Sequence, residues 1–482
     1  MKTLSDHVRG NSGTAYVTPS SRISWASLSE LADAFAWSLR DLAPGDRVGI
    51  NLPDDETVHA AFLGTERAGV VGVGIGARAS EAERDHLLAR TGATRLLTSV
   101  PARSGSVDPA RALGVEDLWL LNSTSGTTGM PKVVTQTQAR WMRFFAHAVD
   151  GGDLGPDETY MSVIPAPFGF GLWTAHVAPI VSRRPCVVLP RFDVPTMARL
   201  IEQERVTVLM CVSTQFRMLL NHPAARDHDL SSLKVMFTGG EMIPPDRARE
   251  FEDRTGAVVL SFFGSNETGA LTATRHDDPR DKRLTTVGRV LPSMQLRLYS
   301  STGEQVEGTG IPGGLGPLTC NGYWDDDEAN AQLYAPDGFM LMGDLVSIDD
   351  EGYVTVVGRT SDIIIRGGKN ISAVEVETHV DAHPAVDAVG IVPVPDAVFG
   401  ERVCAAVTLV PGASLTLEAL TAFLAERGLG KESWPEHLLV LDELPRSSGG
   451  KLAKGDLKTL AASRVSVTRV GRGGLGRRCT WP

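Results

Sequence analysis

Ten residues, Ser123-Thr-Ser-Gly-Thr-Thr-Gly-Met-Pro-Lys132, gather five hydroxyls, two glycines and one lysine between apolar runs at 118–121 and 133–134. Hydroxyls and glycine amides can close around phosphate oxygens, and a lysine neutralises part of their charge. So flexible a loop between two strand-like runs points to a bound polyanion. Taken alone, the same composition also makes a solvated turn. It is not the common nucleotide P-loop, which needs Gly-Lys-Ser/Thr opening a helix. Here Pro131 precedes Lys132 and Val133 follows it.

The elements that must position this loop are legible as alternating apolar runs and amphipathic segments. Residues 47–52, 94–100, 159–164, 206–212, 233–237 and 258–263 read as strands, and 55–68 and 197–204 as helices. Strands separated by helices predict parallel sheets covered on both faces, with ligands at the carboxyl ends of the strands. Gly239-Gly240 and Gly264 fall at such ends. Past Thr285 the texture becomes β-rich: 295–299 alternates as a strand, 302–316 with six glycines reads as a loop, and 353–358 as a further strand. Residues 362–460 carry their own α+β pattern, with helices at 374–382 and 417–426 and strands at 363–365, 386–392 and 402–410. The expected organisation is a large α/β domain over 1–360 with a β-rich subdomain, then a small mobile α+β domain over 361–462. Residues 463–482 hold five arginines, four glycines and no acid, which reads as a disordered basic tail, or as a segment for an anionic partner.

The 482 residues exceed one core, and the 42% hydrophobic and 22% charged content is that of a globular chain. A net charge of −11 argues against a general nucleic-acid binder. The five cysteines are scattered and form no CxxC pair, which favours a reducing compartment over a disulfide framework or zinc site. Residues 1–13 lack a signal-peptide core, and no apolar run reaches the ~18 residues of a membrane span. The expectation is a cytoplasmic enzyme.

The loop resembles the phosphate loop of the adenylate-forming superfamily, which includes acyl-CoA synthetases, nonribosomal adenylation domains and luciferases. Further segments resemble that family in order along residues 20–460. Phe263-Gly-Ser-Asn-Glu-Thr268 resembles its aromatic-Gly-x-x-Glu-Thr segment, which implies that Phe263 and Gly264 face adenine, Glu267 holds Mg²⁺ and Thr268 contacts phosphate. A hard cation prefers carboxylate and phosphate oxygens, although alone Glu267 reads as a solvated loop acid. Gly239-Gly240-Glu241 resembles the turn lining the adenine. The resemblance gives Asp344 to the ribose hydroxyls and Arg359 to ribose or phosphate; a carboxylate can accept both protons of a diol. As a bare pair they read as a surface salt bridge. Arg366-Gly367-Gly368-Lys369 resembles the small domain's thioester loop, which lines the pantetheine channel, and Ser361 takes the hinge position, where a charged residue is more usual. Lys451, in Ser447-Ser-Gly-Gly-Lys451, resembles the terminal lysine that bridges carboxylate and α-phosphate.

The resemblance thus implies ATP, Mg²⁺ and coenzyme A, with Ser123, Thr124, Ser125, Gly126, Thr127, Thr128 and Gly129 on phosphate and Lys132, Glu267 and Lys451 as catalytic residues. The acid pocket is assigned to Phe168, Gly169, Phe170, Gly171, Trp173, Val212 and Ser213. Gly171 stands where amino-acid-activating relatives carry the aspartate that pairs with the substrate ammonium, and the His-Asn pair of dihydroxybenzoate activators is absent. Since a buried unpaired ammonium is costly, the expected substrate is a hydrophobic or bulky carboxylic acid without an amino group. The acceptor is CoA or a carrier protein, and the oligomeric state stays open, a dimer included. Three departures keep a single half-reaction open, such as thioesterification of an acyl-adenylate; a non-catalytic binding protein is a separate alternative, against which intact Lys132, Glu267, Asp344, Arg359 and Lys451 argue. Lys431-Glu-Ser-Trp-Pro435 replaces a Tyr-Lys-x-Pro segment, and 310–322 lacks a strand-like run before Gly-Tyr-Trp. On the order of forty family residues are also missing ahead of the phosphate loop.

Overall fold

The computed structural model describes residues 1–123, 132–240, 243–396, 398–446 and 452–471, with backbone alone for Ser361, Asn370 and 466–471. The chain forms two compact units, Met1–Met342 with Val346–Val356, and Gly343–Leu345 with Val357 onward.

Strands of two to eight residues, the central ones apolar, build the sheets of the first unit. One has nine strands, in the order Arg289–Val290, Gly269–Ala273, Val258–Ser265, Val235–Gly239, Val208–Met210, Tyr160–Ser162, Cys186–Val188, Thr14–Val17 and Arg22–Ser24. The run from Val258–Ser265 to Thr14–Val17 is parallel, with antiparallel strands at both edges. Val235–Gly239 is buried at every position, as a strand covered on both faces requires. A second sheet places Arg95–Leu97, Arg47–Ile50, Val71–Gly74 and Leu120–Ser123 in parallel, and Val133–Gln136 returns antiparallel beside the last. The helix expected over 55–68 is Glu56–Ala68; the Asp55 carboxylate caps its start, and left-handed Gly69 ends it. The α/β class read from the sequence is the fold observed.

Two expectations need correction. The glycine-rich run 302–316 contains a seven-residue strand, Thr309–Leu315, paired antiparallel with Gln295–Tyr299, so a strand does precede Gly-Tyr-Trp. Its glycines mark close packing rather than a loop: a Cβ on Gly313 would lie 2.7 Å from the Tyr299 ring. The tail from 463 is helical as far as Gly471, continuing the helix Lys454–Gly471, with Val465 buried beside Leu457 and Ala461. Arginine is a good helix former, and the apolar positions recur every four residues.

In the second unit, Val386–Asp396 and Gly400–Leu409 pair antiparallel through ten residues, flanked by His437–Val440 and by the hairpin Ile363–Arg366 with Lys369–Ser372. Helices Ala373–Asp381 and Leu417–Glu426 bury Val376, Val380, Leu420 and Leu424 in one core, while Lys454–Gly471 contributes to another.

Candidate active site

Ser123 and Val133 are paired neighbours on adjacent antiparallel strands, so the two described residues that flank positions 124–131 most closely on the sheet lie side by side. Thr124, Ser125, Gly126, Thr127, Thr128 and Gly129 lie outside the described residues. Ser123 is buried; Lys132 is exposed, and its Nζ rests 4.8 Å from the centre of the Tyr323 ring.

The same two strands carry part of a buried polar network. Gln136 Nε2 donates to Asn122 Oδ1 at 2.8 Å and to Asn266 Oδ1 at 3.0 Å, Asn266 Nδ2 donates to Asn122 Oδ1 at 2.9 Å, and Asn122 Nδ2 donates to the Pro167 carbonyl. Arg140, from the helix Gln138–Gly152, donates to Gln136 Oε1 and to the carbonyls of Leu318, Asn266 and Glu267. Its guanidinium is fully enclosed. Desolvation pulls its pKa down to about 10, which leaves it charged at neutral pH. Strand ends, helix and acid-bearing turn are thereby locked to one cation.

That turn follows Val258–Ser265. A Cβ on Gly264 would overlap the Gly269 carbonyl oxygen, so only glycine allows the chain to double back there. Phe263 is buried at the strand end. Thr268 is fully enclosed, its hydroxyl accepting from the Ser265 amide and donating to the Gly269 carbonyl. The Glu267 backbone is held by Arg140 and by the Cys320 amide, and its Oε1 accepts from the Tyr323 hydroxyl at 2.8 Å. Burial and the neighbouring carboxylate raise the Tyr323 pKa, keeping it a donor. No three potential metal ligands cluster among the described residues.

Gly239 ends its strand where a Cβ would lie 2.6 Å from the Phe262 carbonyl oxygen, and Gly240 takes φ +74°; Glu241 is outside the described residues. Of the residues expected to line the acid pocket, Trp173 is wholly buried within rings of Phe144, Phe170, Phe237 and Phe262, with centroids 4.4–5.9 Å away. Phe168 lies against Gly76, Gly169 packs on the Asn266 amide, and Val212 and Ser213 are buried at a helix start. A Cβ on Gly171 would overlap the Pro165 carbonyl oxygen.

In the second unit, Asp344 is buried and accepts from Arg359 Nε at 3.1 Å. Gly367 and Gly368 both take positive φ, the two-residue turn that suits strand twist. Beside them Arg366 pairs with Glu436 at 3.1 Å, and exposed Lys369 lies 3.8 Å from Glu432. Lys451 is outside the described residues, as is the Ser361 side chain.

A family model described as AMP-binding enzyme matches residues 6–113 and 99–324, and one described as AMP-binding enzyme C-terminal domain matches 375–451. The chain belongs to the AMP-binding enzyme family. A feruloyl-CoA synthase from Amycolatopsis is 31% identical over 90% of this chain and 93% of its own. The medium-chain fatty-acid–CoA ligase of Escherichia coli is 32% identical over 74% of this chain, a match spanning 64% of the relative. The crystal structure of ATP-bound MatB from Rhodopseudomonas palustris superposes with a TM-score of 0.82 and 27% identity, over 96% of this chain and 99% of that one.

As an AMP-binding enzyme of the ATP-dependent, adenylate-forming kind, the chain surrounds its candidate acid with groups that motif reading passed over. Arg140, Asn122 and Gln136 belong to none of the motifs read from the sequence, and Asn266 stands at an unassigned position of the 263–268 segment. The signal available for Arg140 was its setting among Ala139, Trp141, Met142 and Phe144, an apolar stretch in which a charge needs buried partners. Tyr323 stood in the Gly-Tyr-Trp run, but nothing local tied it to Glu267, 56 residues away.

Proposed function

We propose that this enzyme is an acyl-CoA ligase that activates a hydrophobic or bulky, non-amino carboxylic acid through an acyl-adenylate and transfers it to CoA. The observation that carries the reading is the preset pair of Lys132 and Glu267. One lies at the exit of the phosphate loop and the other at the carboxyl end of a parallel strand, and Tyr323 touches both. The functional division assigns acid and nucleotide to residues 1–360 and the mobile, thioester-forming part to 361–462.

In the first step a carboxylate oxygen attacks the α-phosphorus of ATP and the bond to the β-phosphate breaks, releasing pyrophosphate. Two anions must meet, so the barrier is largely electrostatic. Lys132, Lys451 and the loop amides and hydroxyls supply positive potential, Gly239-Gly240 and Phe263 border the adenine, and Asp344 with Arg359 holds the ribose. No general base is needed, because the nucleophile is already ionised. Glu267 fits Mg²⁺, which takes one or two carboxylates and fills its sphere with substrate phosphates and water. When bound, the ion neutralises charge on the departing pyrophosphate. In the second step the CoA sulfur attacks the acyl carbonyl, AMP leaves with the electron pair, and the thiol proton passes to solvent. The turn Arg366 to Lys369 lines this path, after movement about Ser361 exchanges it for Lys451.

The crowding at Gly171 supports a neutral acid tail, because no side-chain carboxylate can project from that position to pair an ammonium. The test is carboxylate-dependent ATP–pyrophosphate exchange over a panel of aryl, aliphatic and amino acids, then CoA thioester formation from ATP and from preformed acyl-adenylate. Exchange with aryl or aliphatic acids and thioester from both starting points is the expected result. No exchange with any acid, but conversion of the adenylate, would leave thioesterification alone.

A further inference from the structure

Tyr323 stands between the two charges on which the proposed adenylation depends, and the fold takes trouble to keep it there. Its bridge with Val134 lies beside the strand leaving the phosphate loop, where Thr135 N donates to the Gly322 carbonyl and Trp324 N donates to that of Val133. Asn330, on the helix Asp327–Leu333, then clamps the same backbone from the other side. Its Oδ1 accepts from Tyr323 N at 2.8 Å, and its Nδ2 donates to the Tyr323 carbonyl at 2.9 Å. The ring is therefore indexed to the strand that begins one residue after Lys132.

The two ends of the side chain do different things. The hydroxyl donates to Glu267 Oε1, and no described residue bonds Oε2. The ring face lies under the Lys132 ammonium, a cation–π geometry. Resting on the reading of Glu267 and Lys132 given above, we infer that Tyr323 is a positioning residue: it fixes one oxygen of Glu267, leaves the other for the divalent cation that accompanies ATP, and holds Lys132 at the loop exit before the phosphates arrive. Ordering both side chains beforehand removes that entropic cost from binding.

The test is calorimetric titration of the full-length protein with ATP, with and without Mg²⁺, alongside electron paramagnetic resonance of Mn²⁺ in the presence of ATP. Tyr323→Phe keeps the ring and deletes the hydroxyl. It raises the Kd for MgATP about tenfold, the loss of one hydrogen bond to a charged group, and leaves metal-free ATP binding unchanged. Tyr323→Leu removes the ring as well and weakens metal-free ATP too. Asn330→Ala touches neither charge and reproduces part of the phenylalanine effect, which also guards against a poorly folding Tyr323 variant. Wild-type MgATP affinity and metal dependence in Tyr323→Phe overturn the inference. If the wild-type protein itself shows no metal-dependent ATP binding, the nucleotide-site reading falls first and takes this one with it.

Discussion

Arg140 brings a full charge into the interior with amide and carbonyl oxygens, and no carboxylate, among its hydrogen-bond acceptors. A planar fork can reach several acceptors at once, which a lysine ammonium cannot. Arg140→Lys should therefore unbind the Glu267 and Leu318 carbonyls, cost about 3 kcal/mol of stability, and lower ATP–pyrophosphate exchange at least tenfold by displacing Glu267. Denaturant midpoints and exchange rates check both. Glu267→Gln separates charge from placement: the amide oxygen still accepts from Tyr323, but exchange should fall on the order of a hundredfold with the fold intact. At Gly171 the outcome follows from space. Gly171→Asp should not create amino-acid-dependent exchange, because its Cβ already meets the Pro165 carbonyl; lower soluble yield and loss of exchange with all acids is expected. Lys132 and Glu267 were legible because each sits in a dense local motif. Arg140 was not, since its partners Asn266 and Leu318 lie 126 and 178 residues away.

Several elements of the first unit are joined by a column of rings: Tyr16 on a strand, His59 on the helix Glu56–Ala68, His176 in the π-helical turn Leu172–Val177, and Trp119. His59 and His176 meet Nδ1 to Nδ1 at 3.2 Å, wholly buried. Desolvation pushes the His59 pKa down to about 3, and desolvation, then His59, pushes His176 well below its ordinary value. Folded pKa values below the unfolded ~6.5 mean that the unfolded chain binds more protons in acid, so stability is complete above that pH and is lost as pH falls below it. At pH 5 the loss should be about 2 kcal/mol per histidine, and His176→Phe should flatten the acid slope of the denaturant midpoint between pH 8 and 5. Nothing in a single histidine's local sequence announces such a pair. The parallel strands were legible, being continuous apolar runs between turn residues, as at Val235–Gly239. Thr309–Leu315 was not, because its glycines serve packing against Tyr299, Phe339 and Leu271 rather than turning.

Over the whole molecule, each unit has its own apolar cores, and the second adds a buried ionic knot. Lys454 Nζ lies 2.9 Å from both Asp362 Oδ2 and Glu377 Oε1, and Glu377 Oε1 also accepts from the Ile391 amide. Burial opposes the charge on Lys454, but the two carboxylates outweigh it and raise its pKa; burial raises that of Glu377 despite Lys454. Lys454 follows Lys451 by three residues, and Asp362 follows Ser361 by one, so the knot ties the segment after the proposed hinge to the helix after the terminal lysine. Lys454→Met leaves two acids facing each other without their cation, a loss of about 3–5 kcal/mol. Separate cores predict two calorimetric transitions, and this substitution should move only the one belonging to the second unit. At temperatures where the second unit stays folded, ATP should keep its affinity, while acyl-adenylate formation falls with the disturbed setting of Lys451. A single transition shifting as one would mean that the two units unfold together and that the knot stabilises the whole chain.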